Sequence, residues 1–190
     1  MRSRLTVFIF LIYNIFFSTT AITKEMWVLD KDLSTISFEI PVFLLKNVQG
    51  EFSQIEGLVE IDIEKKENNK AIFSVDIHSV EMNYKKYKSL LLSNVFFSAE
   101  QFPIALVDTK KFSYENENKL RIMVELSIKG ITQQVPLQLE VMRLAEELIQ
   151  LKSKLIFSRT SFQIGTGQWS STAILKDKVL IKTNLFLFKN

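Results

Sequence analysis

The chain has 190 residues, 47% apolar, 24% charged and 12% aromatic, which excludes a disordered polymer and leaves room for one domain with a substantial core. Its 24 Lys and Arg against 21 Asp and Glu give a formal +3, too weak a field to argue for a nucleic-acid partner. With no cysteine and one histidine, disulfides, thiolate chemistry, Cys-ligated metal and multi-histidine sites are all excluded.

The first residues read as an export signal. Arg2 and Arg4 form a positive start, Leu5 to Phe17 is an apolar run broken only by Thr6 and Asn14, and Thr19-Thr20-Ala21 offers small residues ahead of a cut. The run is shorter than the ~20 residues a membrane span needs, and Lys24 and Glu25 follow closely. Residues 1–21 are therefore expected to be a cleaved signal peptide and 22–190 one exported domain, periplasmic or secreted from a bacterium, with no stable membrane span after cleavage. Losing Arg2 and Arg4 lowers the formal charge from +3 to +1.

From Trp27 onward the dominant period is two. Ile36, Phe38 and Ile40 share one face of a strand, with Thr35, Ser37 and Glu39 on the other. Val59, Ile61 and Ile63 alternate with acids; after the turn-rich Lys65–Lys70, Ala71, Phe73, Val75 and Ile77 alternate with Ser74, Asp76 and His78, which makes a hairpin. Pro103–Thr109 is a shorter strand and Tyr114–Lys119 a polar turn. Leu120, Ile122, Val124, Leu126 and Ile128 form the longest clean alternation, Gly130 turns it back, and Val135, Leu137, Leu139 and Val141 return in phase. Ile149, Leu151, Leu155 and Phe157 mark another strand, and Val179, Ile181, Leu185 and Leu187 mark the last, which is apolar on its other face too through Leu180, Phe186 and Phe188. About eight to ten antiparallel strands follow. With no linker or repeat to divide them, one closed sheet is more economical than two small ones.

Tyr84–Ser93 breaks the pattern. Tyr84, Tyr87 and Leu91 lie at i, i+3 and i+7 with lysines largely opposite, so an amphipathic helix of two to three turns is expected. It would plug or flank a barrel end, or cover an opening as a lid.

Few residues suggest reactive chemistry. His78 has no nucleophile motif beside it and reads as a surface or rim side chain. The pairs Asp30/Asp32 and Glu146/Glu147 fall in expected turns without the further oxygen ligands a cation loop supplies. Gly165-Thr166-Gly167 lacks the lysine and following helix of a phosphate loop. No convergent set of titratable groups can be assembled, so the chain is not expected to be an enzyme.

The order of short motifs from Trp27 to Phe188 resembles the YceI-like polyisoprenoid-binding proteins. Trp27-Val28-Leu29-Asp30 with Leu33–Phe38 is similar to that family's first hairpin, and Val48-Gln49-Gly50-Glu51-Phe52 with Gly57 to its next strand pair. Ser79-Val80, the helix, Ser93, Phe96, Phe97 and Gln101-Phe102-Pro103 resemble its helical crossing and the strand after it. Leu126–Leu137, with Gly130-Ile131-Thr132 at its turn, and Phe157–Gly165, with Arg159, Phe162 and Ile164, are the most specific pieces. Leu90-Leu91 and Val42-Phe43 stand where the family often carries His-Leu pairs, so no imidazole contact to a headgroup is carried over.

The resemblance implies an all-β, lipocalin-like antiparallel β-barrel of about eight strands with one or two short helices, holding an isoprenoid lipid such as a quinone or prenyl lipid. The expected lining and mouth are Phe38, Ile40, Phe52, Phe73, Val75, Tyr84, Tyr87, Leu91, Leu126, Ile128, Leu137, Leu139, Phe157 and Arg159. No catalytic residue, metal, cofactor or nucleic acid is expected, and a homodimer is left open. A structural or partner-binding barrel with a filled core is the alternative; cavity volume separates the two. Intact-mass analysis of protein recovered from the exported fraction should show a chain beginning near Ile22, and a mass that includes Met1–Ala21 would overturn the signal reading.

Overall fold

The computed structural model describes residues 24–44, 46–114 and 118–190; the expected signal segment and the centre of the 114–119 turn lie outside the described residues. Among the described residues there are ten strands: β1 (Lys24–Ile40), β2 (Val48–Phe52), β3 (Ile55–Asp62), β4 (Lys70–Asp76), β5 (Val80–Met82), β6 (Ile104–Asp108), β7 (Lys119–Ile128), β8 (Ile131–Ala145), β9 (Leu148–Ser158) and β10 (Lys178–Lys189). One short helix, α1 (Lys88–Leu92), lies between β5 and β6.

All pairings are antiparallel, and β1-β3-β4-β6-β7-β8-β9-β10 closes on itself because β10 also pairs with β1. β2 and β5 continue the lines of β3 and β4 beyond a kink: β2 pairs with the C-terminal half of β1 (Ile36↔Phe52, Ile40↔Val48), and β5 pairs with β2 (Gly50↔Met82). The result is a closed antiparallel β-barrel with eight strands in its ring. Closure leaves no unpaired edge in the ring, and the pleat sends alternate side chains into the interior.

The tightest connection is Lys129-Gly130, where both residues take positive φ (52° and 73°). That is the primed turn whose twist matches its flanking strands, and it sets β7 on β8 from Ile128↔Ile131 to Lys119↔Glu140. The inward phase read from the sequence is the observed one. Phe38, Ile40, Leu126, Ile128 and Phe157 are buried, and Phe73, Val75, Leu137 and Leu139 are half-buried against them. In β10, Leu180 and Phe186 are half-buried and Phe188 is exposed, on the phase opposite the buried Val179, Leu185 and Leu187.

Three local expectations are corrected. Trp27–Phe38 is one bulged strand, not a hairpin: Asp30 pairs with Phe186 and Thr35 with Asn184, so Lys31–Ser34 bulge out of a ladder that continues on both sides. The Asp30 carboxylate accepts from the N–H groups of Asp32 (2.9 Å) and Leu33 (3.0 Å), and the Ser34 hydroxyl accepts from Phe186 N–H (2.9 Å), so the backbone groups freed by the bulge find partners. His78 leaves the strand for a 3-10 turn, Ile77–Ser79, where its N–H donates to Asp76 Oδ1 at 2.8 Å and its ring is exposed. The expected helix of two to three turns over Tyr84–Ser93 is a 3-10 turn at Lys85–Tyr87 followed by the five-residue α1.

Two close approaches shape the interior. Gly50 stands opposite Phe38 and Gly57 opposite Phe73, each glycine beneath the neighbouring ring. A Cβ at Gly57 would fall 2.2 Å from the Phe73 ring, so the glycine is what lets that ring lie flat along the wall. Gly57→Ala should therefore destabilise by about 1–3 kcal/mol, a fall of roughly 2–12 °C in thermal melting midpoint. An unchanged midpoint would show that the ring moves aside without cost.

Candidate functional site

The inward side chains do not fill the barrel. They enclose a cavity of about 490 Å³ that runs along the barrel interior. Its walls are Trp27, Ile36, Phe38, Ile40 and Phe52 on one side, Val59, Ile61, Ala71, Phe73, Val75, Ala105 and Val107 beside them, and Leu126, Ile128, Leu137, Leu139, Leu151, Leu155, Phe157, Val179 and Ile181 across the interior.

The two ends of the cavity differ. At the end where β1 finishes and α1 lies, Ile40, Phe52, Ile77, Leu91, Ile128, Phe157, Ile164 and Val179 line it and are buried. At the other end the lining residues Glu25, Phe112, Tyr114, Leu120, Val141 and Ile149 are part-exposed, and Asn118 and Arg143 are exposed. Among the described residues the cavity thus reaches solvent at the end away from α1. Its charged lining residues, Glu25 and Arg143, belong to this rim; Glu25 pairs with Lys189, and Arg143 donates from Nη2 to Glu146 O at 2.9 Å.

The closed end is built from loops. Leu91 of α1 and Phe97 after it reach the cavity, while the Phe96 ring packs edge-on to Trp169 at 5.8 Å. Gly165 N–H donates to Val95 O at 2.9 Å, joining the post-helix segment to the 159–177 loop. The Lys129 ammonium donates to Asn94 O (2.7 Å) and Gln163 O (2.9 Å), bridging both loops to the β7–β8 turn, and burial lowers its pKa from the ordinary lysine value. Leu91 of α1 thus stands at a closed end whose loops these bonds tie together.

Eleven of the expected site residues line the cavity: Phe38, Ile40, Phe52, Phe73, Val75, Leu91, Leu126, Ile128, Leu137, Leu139 and Phe157. Tyr84, Tyr87 and Arg159 stand outside its lining. Tyr84, which precedes the 3-10 turn Lys85–Tyr87, donates its hydroxyl to Lys46 O at 3.1 Å, and Tyr87 is 42% exposed beneath the Lys86 ammonium. Arg159 is fully buried in the 159–177 loop. Its guanidinium donates to the carbonyl oxygens of Ile164 (2.8 Å), Leu175 (2.9 Å), Lys176 (3.1 Å), Ser171 (3.1 Å) and Gly165 (3.3 Å), leaving no donor for a ligand. Burial lowers its pKa, and Asp177 nearby opposes the shift. Gly165 takes φ +78°, and a Cβ there would lie 2.6 Å from Arg159 Nη1.

The polar part of the wall is not encoded in the apolar alternation of the strands. Thr109, Ser153 and Thr183 all line the cavity. Thr109 is engaged with the backbone, accepting from Ala71 N–H at 2.8 Å and donating to Ala71 O at 3.2 Å. Ser153 and Thr183 are register partners and hydrogen-bond each other at 2.8 Å. Both sit on the inward phase of strands whose apolar residues were identified, so parity alone would have found them. Among the described residues no cluster of three or more His, Cys, Asp or Glu is placed to hold a metal ion, and no helix is long and apolar enough to cross a membrane.

Residues 27–187 match the YceI-like domain, nearly the whole described chain. The protein belongs to the YceI-like family. BcnA of Burkholderia cenocepacia has a similar structure, with TM-score 0.75 and 25% identity over 83% of this chain and 98% of its own. A polyisoprenoid binding domain from Saccharophagus degradans, implicated in plant cell wall breakdown, shares the fold at TM-score 0.70 and 15% identity, covering 86% of this chain and 98% of that one. A UPF0312 protein of Staphylococcus aureus is 29% identical over 107 residues, 56% of this chain, and the match spans 60% of that relative's length.

Because Arg159 serves five carbonyls at once, Arg159→Lys should fail to replace it: a point ammonium cannot reproduce the planar fork. We expect a stability loss on the order of 3 kcal/mol or more, with hydrogen-exchange protection lost first between residues 159 and 177. Retained protection in that loop would show that the fork is dispensable.

Proposed function

We propose that this YceI-like protein is a binding protein, not an enzyme, which holds the tail of an isoprenoid or similarly long apolar lipid inside the barrel as an exported carrier or sequestering protein. The observation that carries this reading is the cavity of about 490 Å³ with apolar walls, closed at the α1 end and reaching solvent at the other. Its size lies within the roughly 300–1,000 Å³ of ligand-binding pockets. A filled barrel would bury the same residues without leaving that space, so the volume speaks against the structural alternative.

The energetics follow from the lining. Each methylene moved from water into such a cavity contributes about 0.8 kcal/mol, so a few isoprene units exceed the ordering cost of binding. Charge is confined to the rim, where a charged group can remain hydrated. Catalysis would need convergent titratable groups, and the lining pairs its carboxylate, Glu25, with Lys189. The polyisoprenoid-binding domain of Saccharophagus degradans, built on the same fold, supports the choice of ligand class, and the apolar N-terminal run supports export.

Organic extraction of the purified mature protein followed by mass spectrometry should yield a lipid with a long apolar chain, at up to one per protein. Leu139→Trp, which places an indole in the cavity, should reduce affinity for a fluorescent prenyl probe at least tenfold while the far-UV circular dichroism stays unchanged. A folded Trp variant that binds the probe like wild type, together with an empty extract, would remove the cavity from the function.

A further inference from the structure

We propose that Ser153 and Thr183 form a built-in site for one neutral oxygen atom of the ligand, a carbonyl or hydroxyl, midway along the cavity; the proposal rests on the reading that the cavity holds lipid. Ser153 lies at the centre of β9 and Thr183 at the centre of β10, and they face each other across the ladder with Leu139 flanking Ser153 and Ile36 flanking Thr183. Both line the cavity, in a band where every ring neighbour named is apolar.

Proton accounting makes the pair incomplete. Each hydroxyl carries one donor and two acceptor lone pairs. The contact between Ser153 Oγ and Thr183 Oγ1 at 2.8 Å uses one proton, and among the described residues neither side chain has a backbone carbonyl or other side chain as a second partner. One O–H therefore remains to be donated, and it can be donated only into the cavity. Thr109 is the contrast: it also lines the cavity, but both its donor and an acceptor are satisfied by Ala71.

The chemistry of the surroundings selects the ligand class. Among the described residues no charged side chain lines the middle of the cavity, since the cation Arg143 and the carboxylate Glu25 belong to the rim. A phosphate or carboxylate drawn that deep would lose its hydration without a counter-charge. A neutral oxygen loses far less and gains a hydroxyl donor in a low-dielectric setting. A lipid quinone, with a ring carbonyl and an apolar tail, is the chemistry that fits; a hydrocarbon of the same length would leave the hydroxyl proton unmet.

The test uses the full mature protein and two ligands of equal chain length, an isoprenoid benzoquinone and an isoprenoid hydrocarbon. Ser153→Ala combined with Thr183→Val keeps the volume nearly unchanged and should raise the Kd for the quinone about tenfold, leaving the Kd for the hydrocarbon within twofold. The exchanged pair, Ser153→Thr with Thr183→Ser, retains both hydroxyls and should bind both ligands like wild type, which controls for packing. If wild type and the double variant bind both ligands equally, the oxygen site is wrong while the lipid-binding reading stands. If wild type binds neither ligand, both fall.

Discussion

Closure of the sheet through the pairing of β1 with β10 is the constraint on which the rest of the molecule depends. β10 follows β1 from Trp27↔Lys189 to Glu39↔Leu180, interrupted only by the bulge. Without that ladder the chain would be an open, strongly twisted sheet with two exposed edges and an apolar face in water. With it, eight strands direct their inward phases at one axis. Whether such a barrel is solid or hollow then depends on the sizes of the inward side chains. Here Ala71, Ala105, Ser153 and Thr183 stand among the larger lining residues and leave space between them, while Gly50 and Gly57 let the Phe38 and Phe73 rings lie close along the wall.

The barrel wall and the barrel ends are stabilised by different physics. The wall rests on ladder hydrogen bonds and on burial of alternate apolar residues. The closed end has no ladder to continue, and it uses two cations placed among carbonyl oxygens. Arg159 gathers the 159–177 loop, and Lys129 ties that loop to Asn94. A dehydrated cation is costly unless every N–H finds an acceptor. Asp177 holds the base of the same loop by accepting from Ser158 Oγ at 2.9 Å and Thr160 Oγ1 at 2.7 Å. Although burial opposes it, these bonds and the nearby Lys178 charge keep the Asp177 carboxyl below the usual carboxylate range.

What was legible in the sequence follows from this division. A period of two is a direct imprint of the pleat, so the inward phases of β1, β4, β7, β8, β9 and β10 could be read residue by residue. The bulge after Asp30 could not, because a carboxylate that satisfies two backbone N–H groups looks the same in a turn and in a bulge. Tyr84, Tyr87 and Leu91 share a face only on a continuous 3.6 period, and the chain instead enters a 3-10 turn at Lys85 before α1 begins. Arg159 was singled out, but its acceptors are scattered over Ile164 to Lys176 in an irregular loop, and no periodicity encodes which carbonyls converge. Ser153 and Thr183 leave no mark in the apolar pattern, because they are small polar side chains on the same face as the apolar ones.

A tube closed at one end cannot be flushed. Among the described residues, water leaving the cavity and a chain entering it would share one doorway at the Arg143 and Asn118 end, so exchange is displacement in a narrow passage and not flow through it. Whatever goes in first comes out last. The leading tip of any guest is committed to the α1 end for the whole of its stay, and its trailing end is the part that a membrane or a second protein could grasp.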